Sequence, residues 1–182
     1  MSPSDQLGPE WKKQHVIQGS YAVSDDPKLV LMTILGSCVA TCLWDAKRGI
    51  GGMNHFLLPD VAAGESEARL YGAHSMEVLI NDLLKQGARK ERLQAKLFGG
   101  ASMIEGLSAI GARNSSFARK FLEREGIVCM AESLGGNRAR RVRFWPVLGK
   151  AQQMVLAEAP AMLKSEVPPV IPKQDVGEVS LF

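Results

Sequence analysis

Apolar residues in the first third of the chain fall into short runs that glycine and polar residues interrupt. Residues 29–35 are almost continuously apolar, which is typical of a strand buried on both faces. Gly36-Ser37 interrupts this pattern, and residues 39–44 resume a strand-like run. A polar turn at 45–49 then leads into a further apolar run at 51–58. We therefore predict a buried strand followed by two strands that pair with each other across the turn.

The hydrophobic pattern takes on a helical period after residue 68. Gly87 closes this first predicted helix, and residues 94–98 form the next predicted strand. Ser115 or Ser116 is then predicted to cap a second helix, which is expected to end at Gly126. The apolar residues expected on the core-facing side of the first helix are Leu70, Met76, Leu79, Ile80, Leu83 and Leu84.

Strand-like patterns return in the last part of the chain. Residues 127–134 and 140–147 flank a Gly135-Gly136-Asn137 turn, whose composition is typical of a β-hairpin. Residues 150–157 are predicted to form a final strand. Because strands dominate and the helices are inserted between them, the predicted fold class is α+β. We expect a packed, sandwich-like β layer with helices on one or more of its faces.

The length of 182 residues suits one domain with tails. The polar residues 1–14 are predicted to form a disordered leader, followed by an edge strand within 15–23. The domain itself is expected to span residues 15–157. The last segment, 158–182, contains four prolines and is predicted to be an extended tail.

Composition and charge exclude several classes of protein. The formal net charge of +3 is too small, and the basic residues too scattered, for a nucleic-acid binder. The N-terminal residues lack the apolar centre of a signal peptide, and no apolar run approaches the roughly 20 residues that a membrane helix needs. Three cysteines without paired spacing argue against a disulfide framework and favour a reducing, cytoplasmic location. Cys38 and Cys42 have no second Cys/His pair at ligand spacing, which argues against a zinc site. No dinucleotide-binding fingerprint is present. The mechanism considered below requires no metal or organic cofactor, and none is expected.

Two residues in the predicted strand pair have the chemistry of a catalytic site. Cys38 follows Gly36-Ser37, where the backbone can turn sharply, and His55 lies in the partner strand. A thiol beside an imidazole is the minimum equipment for nucleophilic acyl transfer. Backbone N–H groups near Ser37 and Cys38 are candidates for binding an oxyanion. Either Thr33 or Asn54 is a candidate for holding the imidazole.

Each of these residues also has a purely structural interpretation. A cysteine in an apolar run is usually a small buried hydrophobe, and we interpret Cys42 and Cys129 in this way. His55 alone would be interpreted as a structural histidine. Gly99-Gly100 resembles a phosphate-binding turn but lacks the Lys-Ser/Thr ending of a P-loop, so close backbone packing beside the site is the preferred interpretation.

A series of short motifs extends this local pattern over most of the chain. In order, the motifs are Leu-Gly-Ser-Cys-Val-Ala at 35–40, Gly-Gly-Met-Asn-His-Phe-Leu-Leu-Pro at 51–59, Tyr71-Gly72, Lys-Leu-Phe-Gly-Gly-Ala at 96–101, Ile-Gly-Ala-Arg-Asn at 110–114 and Leu-Gly-Gly at 134–136. Together they resemble the chemoreceptor glutamine deamidase family, CheD, over about residues 15–157. The family implies a layered fold related to the catalytic domains of bacterial toxins that deamidate glutamine.

The resemblance implies a Cys-His-Thr triad, with Cys38 as nucleophile, His55 as base and Thr33 as the third member. Some members of the family place the threonine six positions before the cysteine, whereas Thr33 stands five positions before Cys38. On an extended strand, one position reverses the direction of the side chain. The sequence therefore does not decide whether the Thr33 hydroxyl points towards Cys38 and His55 or away from them.

The resemblance also implies a reaction and partners. The expected reaction is hydrolysis of glutamine side-chain amides to glutamate and ammonia through a thioester. The expected substrates are the cytoplasmic helices of methyl-accepting chemotaxis receptors, and a CheC-type phosphatase is a possible partner. Two alternatives stay open at this point. One is a docking module in which catalysis is secondary, and the other is a small cysteine peptidase with the same dyad chemistry.

Overall fold

A computed structural model describes residues 10–59, 64–102 and 108–157 of the chain. Within these residues the chain forms strands and two long helices, and a short 3-10 turn at Lys90–Arg92. The elements are β1 (Lys12–His15), β2 (Tyr21–Ser24), β3 (Leu29–Leu35), β4 (Val39–Asp45), β5 (Ile50–Phe56), α1 (Glu65–Lys85), β6 (Gln94–Gly99), α2 (Ser108–Glu125), β7 (Val128–Leu134), β8 (Arg140–Trp145) and β9 (Lys150–Val155).

The strands form two sheets that pack face to face. The first sheet has the order β1-β3-β8-β9, and the second has the order β2-β5-β4-β6-β7. Most neighbours are antiparallel, but β1 lies parallel to β3 and β7 lies parallel to β6. Both helices pack on the outer face of the second sheet. The fold is therefore α+β, as predicted, and it has three layers: first sheet, second sheet and helices.

Alternate residues of β4 face the two sides of the second sheet. Val39 and Leu43 point to the helices, where they join a cluster that includes Met76 and Leu79 of α1. Ala40 and Cys42 point to the first sheet instead, into a second apolar cluster. Because β4 is covered on both faces, most of its side chains are buried and apolar, which explains the nearly continuous apolar run in its sequence.

The helix α1 confirms the predicted core-facing side at most positions. Met76, Leu79, Ile80 and Leu83 are buried. Leu70, however, is 70% exposed, so its predicted place in the core is wrong. Neither helix in the described parts of the chain is long and apolar enough to cross a membrane.

The N-terminal boundary differs from the predicted one. Lys12–His15, of which the first three residues were assigned to the disordered leader, form β1 and pair with β3. The four side chains of β1 are exposed, so the strand carries no hydrophobic signal and depends on backbone pairing. An ion pair of 2.7 Å between Lys12 and Asp26 adds to it. Residues 1–9 and the predicted tail at 158–182 lie outside the described residues.

Three further predictions are corrected in the second half of the chain. The second helix begins at Ser108, so Ser115 and Ser116 lie inside it and do not cap it. The strands on either side of Gly135-Gly136 do not form a hairpin, because β7 belongs to the second sheet and β8 to the first. Cys129 is exposed on β7, the edge strand of its sheet, and is not part of the core.

Candidate active site

The chain crosses from the first sheet to the second at residues 36–38. The strand β3 ends at Leu35 and β4 begins at Val39, so the crossing is only three residues long. It lies at one end of the space between the sheets. Side chains from the inner faces of both sheets can therefore meet the side chain of Cys38 at this point.

The imidazole of His55 is held by Thr33 across the two sheets. The Thr33 Oγ1 atom lies 2.9 Å from His55 Nδ1 and donates a hydrogen bond of 2.8 Å to the carbonyl oxygen of Val16. Because the hydroxyl hydrogen is used on Val16, its oxygen accepts a hydrogen bond from a protonated Nδ1. This tautomer makes Nε2 the ring nitrogen that accepts a proton. Thr33 therefore faces the site, five positions before the cysteine.

Asn54, the rival candidate for holding the imidazole, points to the opposite face of β5. Its Oδ1 accepts a hydrogen bond of 3.0 Å from the backbone N–H of Thr41, and its Nδ2 donates one of 3.1 Å to the carbonyl of Ser75. Asn54 is fully buried. Its amide therefore joins β4 to the helix α1, and the site-shaping role expected for it is an indirect one.

Cys38 and His55 lie on the same inner face of the second sheet. Ala40 of β4 is opposite His55 of β5, and Cys38 lies two residues before Ala40. Diagonal neighbours in paired strands are about 7–8 Å apart, which is within reach of an aromatic side chain such as an imidazole. Both residues are buried, and the Cys38 thiol donates to the Gln18 side-chain oxygen at 3.6 Å. The predicted pair is thus placed on one face at the same end of the sandwich.

The three carbonyl groups of the crossing are all anchored on one side. Ala101 N–H donates to Gly36 O at 2.8 Å, and Gly100 N–H donates to Cys38 O at 2.7 Å. The Nδ2 group of Asn114 donates to Ser37 O, also at 2.8 Å. Because N–H and C=O point in opposite directions across a planar peptide, this anchoring fixes the direction of the N–H groups that follow each carbonyl. The crossing therefore has the rigid backbone that an oxyanion site requires.

Gly99 and Gly100 permit this close backbone approach, as predicted. Both adopt positive φ, at 113° and 65°. A Cβ atom on Gly99 would overlap the carbonyl oxygen of Cys38, and one on Gly100 would overlap the Ser115 hydroxyl oxygen. Neither position has room for any side chain.

Arg140 supports the crossing from the first sheet. It is buried opposite Leu35, at the end of β3. Its guanidinium donates to Ser133 O at 2.5 Å and to the carbonyl of Gly135, and Gly135 N–H donates in turn to Gly99 O at 2.9 Å. Burial lowers the pKa of Arg140.

Sequence reasoning did not assign roles to Gln18, Asn114 or Arg140. Asn114 had one available signal, since it ends the motif at 110–114, and it is fully buried on a helix. Gln18 lies in a short turn with no motif of its own. Among the described residues, no three His, Cys, Asp or Glu side chains are grouped as they would be around a metal ion.

The opposite end of the sandwich is held by a buried carboxylate. Asp45 accepts hydrogen bonds from the Arg92 side chain, with a shortest distance of 2.7 Å, and from the backbone N–H groups of Lys47, Arg48 and Arg89. Burial raises the pKa of Asp45, but these hydrogen bonds outweigh it and lower the pKa to about 2. This end of the molecule is structural.

This chain is a small, layered α+β protein with Cys38, His55 and Thr33 buried at one end of its sandwich. A thiol, an imidazole and an orienting hydroxyl are the groups that cysteine-dependent acyl transfer uses. The family model described as "CheD chemotactic sensory transduction" matches residues 57–154. A probable chemoreceptor glutamine deamidase CheD of Caulobacter vibrioides is 52% identical over 93% of both chains. One of Acidiphilium cryptum is 51% identical over 91% of this chain and 90% of its own. This chain belongs to the CheD family.

Among solved structures, the hypothetical protein YfiH of Bacillus licheniformis is similar to this chain. The TM-score is 0.40 and the identity 16%, over 62% of this chain and 49% of that one.

Proposed function

We propose that this protein is a chemoreceptor glutamine deamidase, a hydrolase that converts glutamine side chains of its receptor substrate to glutamate. The observation that carries the proposal is the hydrogen bond between Thr33 and His55 on the inner face where Cys38 also lies. The curated relatives named above are probable enzymes of this activity. The proposal assigns Cys38 as nucleophile, His55 as general base and acid, and Thr33 as the group that orients the imidazole.

In the first step, His55 Nε2 accepts the thiol proton and the Cys38 sulfur attacks the carboxamide carbon of the substrate. Thr33 keeps Nδ1 protonated, and Val16 O supports the positive charge that develops on the ring, because it lies 3.4 Å from Nδ1. The negative charge on the carboxamide oxygen is stabilised by backbone N–H groups near Ser37 and Cys38. Such donors are typically worth about 3 kcal/mol each.

In the second step, the C–N bond breaks and the imidazolium gives its proton to the departing ammonia. A thioester between Cys38 and the substrate remains. His55 then takes a proton from water, the hydroxide attacks the thioester carbon, and the sulfur leaves. The sum is glutamine plus water giving glutamate plus ammonia, and the thiol is restored without an oxidant or reductant.

The proposed substrates are the cytoplasmic helices of methyl-accepting chemotaxis receptors, so we place the reaction in the cytoplasm. The small positive net charge of +3 suits an acidic helical bundle and predicts association that weakens with salt. A CheC-type phosphatase is a proposed partner on the strength of the family resemblance alone. The domain limits are likewise part of the proposal, with the start expected at residue 15 moved to Lys12, where β1 begins.

The test is mass spectrometry of a receptor cytoplasmic fragment after incubation with the protein. Each converted glutamine adds about one dalton and leaves the peptide chain uncut, because only the side-chain amide is hydrolysed. The Cys38→Ala variant is expected to give no conversion, and Cys42→Ala serves as the matched control. Conversion by Cys38→Ala would refute the nucleophile. Cut peptides would indicate a peptidase, and binding without conversion would indicate a docking module.

A further inference from the structure

A tight turn between β1 and β2 lies directly on His55. The backbone N–H of Gly19 donates to His55 O at 2.8 Å, and His55 N–H donates to Ser20 O at 3.0 Å. Gly19 adopts a positive φ of 80°, which lets the turn reverse in this short space. Two backbone hydrogen bonds to one residue fix the turn relative to the imidazole. Whatever side chain the turn carries is therefore placed reproducibly beside the site.

This turn carries Gln18, whose side-chain oxygen accepts the hydrogen bond from the Cys38 thiol at 3.6 Å. The same segment supplies Val16 O to the Thr33 hydroxyl. One end of the segment thus supports the imidazole while the middle contacts the sulfur. Gln18 itself is only half-buried, and its side chain has three rotatable bonds before the carboxamide.

The group that contacts the sulfur is a primary carboxamide on a glutamine. This is the same functional group that the proposed reaction hydrolyses. Cys38 is fully buried, so a substrate carboxamide reaches its sulfur only when some covering group moves. Gln18 is placed to be that group, because its backbone is fixed and its side chain can rotate towards solvent.

We propose that Gln18 is a built-in substrate analogue, whose carboxamide occupies the position of the substrate carboxamide and must leave before substrate binds. This inference rests on the proposed function for the identity of the substrate. It assigns the substrate pocket to the space between the Gln18 turn and the sulfur. It also makes the resting protein partly self-inhibited, since the competent fraction is the fraction with Gln18 displaced.

The Tyr71 hydroxyl of α1 lies beside the same turn and near Cys38. Its oxygen lies 3.8 Å from the place where a Cβ on Gly19 would stand. Burial, and then the nearby Cys38 thiol, raise the pKa of Tyr71, so the hydroxyl stays protonated and able to donate a hydrogen bond. The proposal therefore includes the Tyr71 hydroxyl as a hydrogen-bond donor to the substrate carboxamide that displaces Gln18.

The experiment measures the rate at which iodoacetamide alkylates Cys38, followed by peptide mass spectrometry at neutral pH. Iodoacetamide is itself a small primary carboxamide, so it probes the same space. Gln18→Ala is expected to raise the rate about three- to tenfold, which is the range of a hydrogen bond lost from the covered state. Gln18→Asn, whose carboxamide is one methylene shorter, is expected to give a smaller increase. It also provides a second variant if the alanine variant does not fold.

Two controls are built into the chain. The exposed Cys129 reports any general change in reagent or conditions, and its rate should be the same in all variants. Gln14→Ala removes a glutamine from the exposed face of β1 and should leave the Cys38 rate unchanged. With a receptor fragment as substrate, Gln18→Ala should also lower KM.

An alkylation rate that is unchanged or slower in folded Gln18→Ala would overturn the proposal, because Gln18 would then not cover the sulfur. Alkylation does not depend on turnover. If wild-type protein failed to convert any receptor glutamine while Gln18→Ala still accelerated alkylation, the proposed function would fall. The covering role of Gln18 would stand, and its interpretation as a substrate analogue would be overturned.

Discussion

Cys38 and Cys42 are four residues apart, both fully buried, and both on the face of the second sheet that packs against the first. Cys38 lies where the chain crosses between sheets, with Gln18 at its sulfur and His55 diagonal to it. Cys42 lies inside the apolar cluster. Burial there raises the pKa of the Cys42 thiol far above its ordinary value, and the charge of Lys96 offsets this only in part.

The comparison shows that burial alone does not decide what a cysteine does. The end of the sandwich with Cys38 is made from polar contacts: an anchored backbone, a held imidazole and two glycines in close contact. The end beyond Cys42 is held by apolar side chains and by the Asp45–Arg92 ion pair. We therefore expect a thiol to act as a nucleophile at one end of the sheet and as a core residue at the other.

The largest effect should come from the two cysteines themselves. Cys38→Ala should lower turnover of a receptor fragment by at least about 10⁴-fold, because the covalent step is lost. Cys42→Ala should keep turnover within about threefold and instead lower the free energy of unfolding by about 1 kcal/mol, through the small cavity it leaves. Rate assays and urea denaturation measure the two effects. Similar rates in the two variants would remove the distinction.

The second prediction ranks His55 and Thr33 by the loss of kcat that their substitution causes. His55→Gln should lower kcat by about 10³-fold, since it removes proton transfer in both steps. Thr33→Val should lower kcat by about 10- to 100-fold, because the imidazole keeps the Val16 carbonyl but loses its orienting hydroxyl. Thr33→Ser is the matched control and should recover most of the rate. An unaffected Thr33→Val would show that Val16 suffices.

Close packing at the site end can be separated from backbone strain with two glycines of nearly equal φ. Gly100 has φ 65° with the Ser115 hydroxyl and Gly111 O at the position of an added Cβ, whereas Gly126 has φ 68° and nothing within 4 Å. Gly126→Ala should cost about 1 kcal/mol of unfolding free energy, from strain alone. Gly100→Ala should cost about 3 kcal/mol, since steric overlap is added. An equal loss of unfolding free energy in the two variants would show that the backbone around Gly100 shifts easily to accommodate the added methyl group.

A further effect on stability is expected at the structural end. Asp45→Asn should lower the free energy of unfolding by about 2 kcal/mol at neutral pH, because Arg92 loses its buried partner. The folded pKa of about 2 lies below the ordinary 3.8, so this stability is present above about pH 4 and is lost as the pH falls towards 2. The same substitution should remove that part of the acid transition. Asp25→Asn, in an exposed pair with Arg48, should change little.

The sequence predicted the parts of the fold that depend on neighbouring residues. The pair β4–β5, the helix α1 and the final strand follow from local period and turn residues, and the structure confirms them. The two parallel strand pairs were not predictable in this way, because the pairing of β1 with β3 and of β7 with β6 depends on tertiary packing. Because all four side chains of β1 are exposed, its sequence has no alternation of apolar and polar residues that would predict a strand.

The turn at Gly135-Gly136 shows why a strong local signal can mislead. Both glycines adopt positive φ, as a tight hairpin turn requires. The strands on either side separate nonetheless, since Gly135 N–H bonds to Gly99 and Arg140 reaches back to Ser133 and Gly135. The hydrogen bond between Gly135 and Gly99 joins residues far apart in the chain, and the composition of the turn does not encode it.

The part of the candidate site that could be predicted consists of residues whose side chains are themselves reactive. Cys38 and His55 stand out as a thiol and an imidazole in paired strands, and the pairing is as predicted. The direction of Thr33 was not predictable, because one position on a strand decides it. Gln18 and Asn114 reach the crossing from a turn and a helix that no local pattern links to it.

The crossing at residues 36–38 forms only in the folded protein, and this matters for the nascent chain. Thr33 and His55 belong to different sheets and meet only after the sheets have docked, and Asn114 must arrive from a helix made much later. A nascent or partly unfolded copy therefore carries an ordinary thiol with no base beside it. In the proposed mechanism, amide hydrolysis therefore begins only in finished molecules, and folding itself is the activation step.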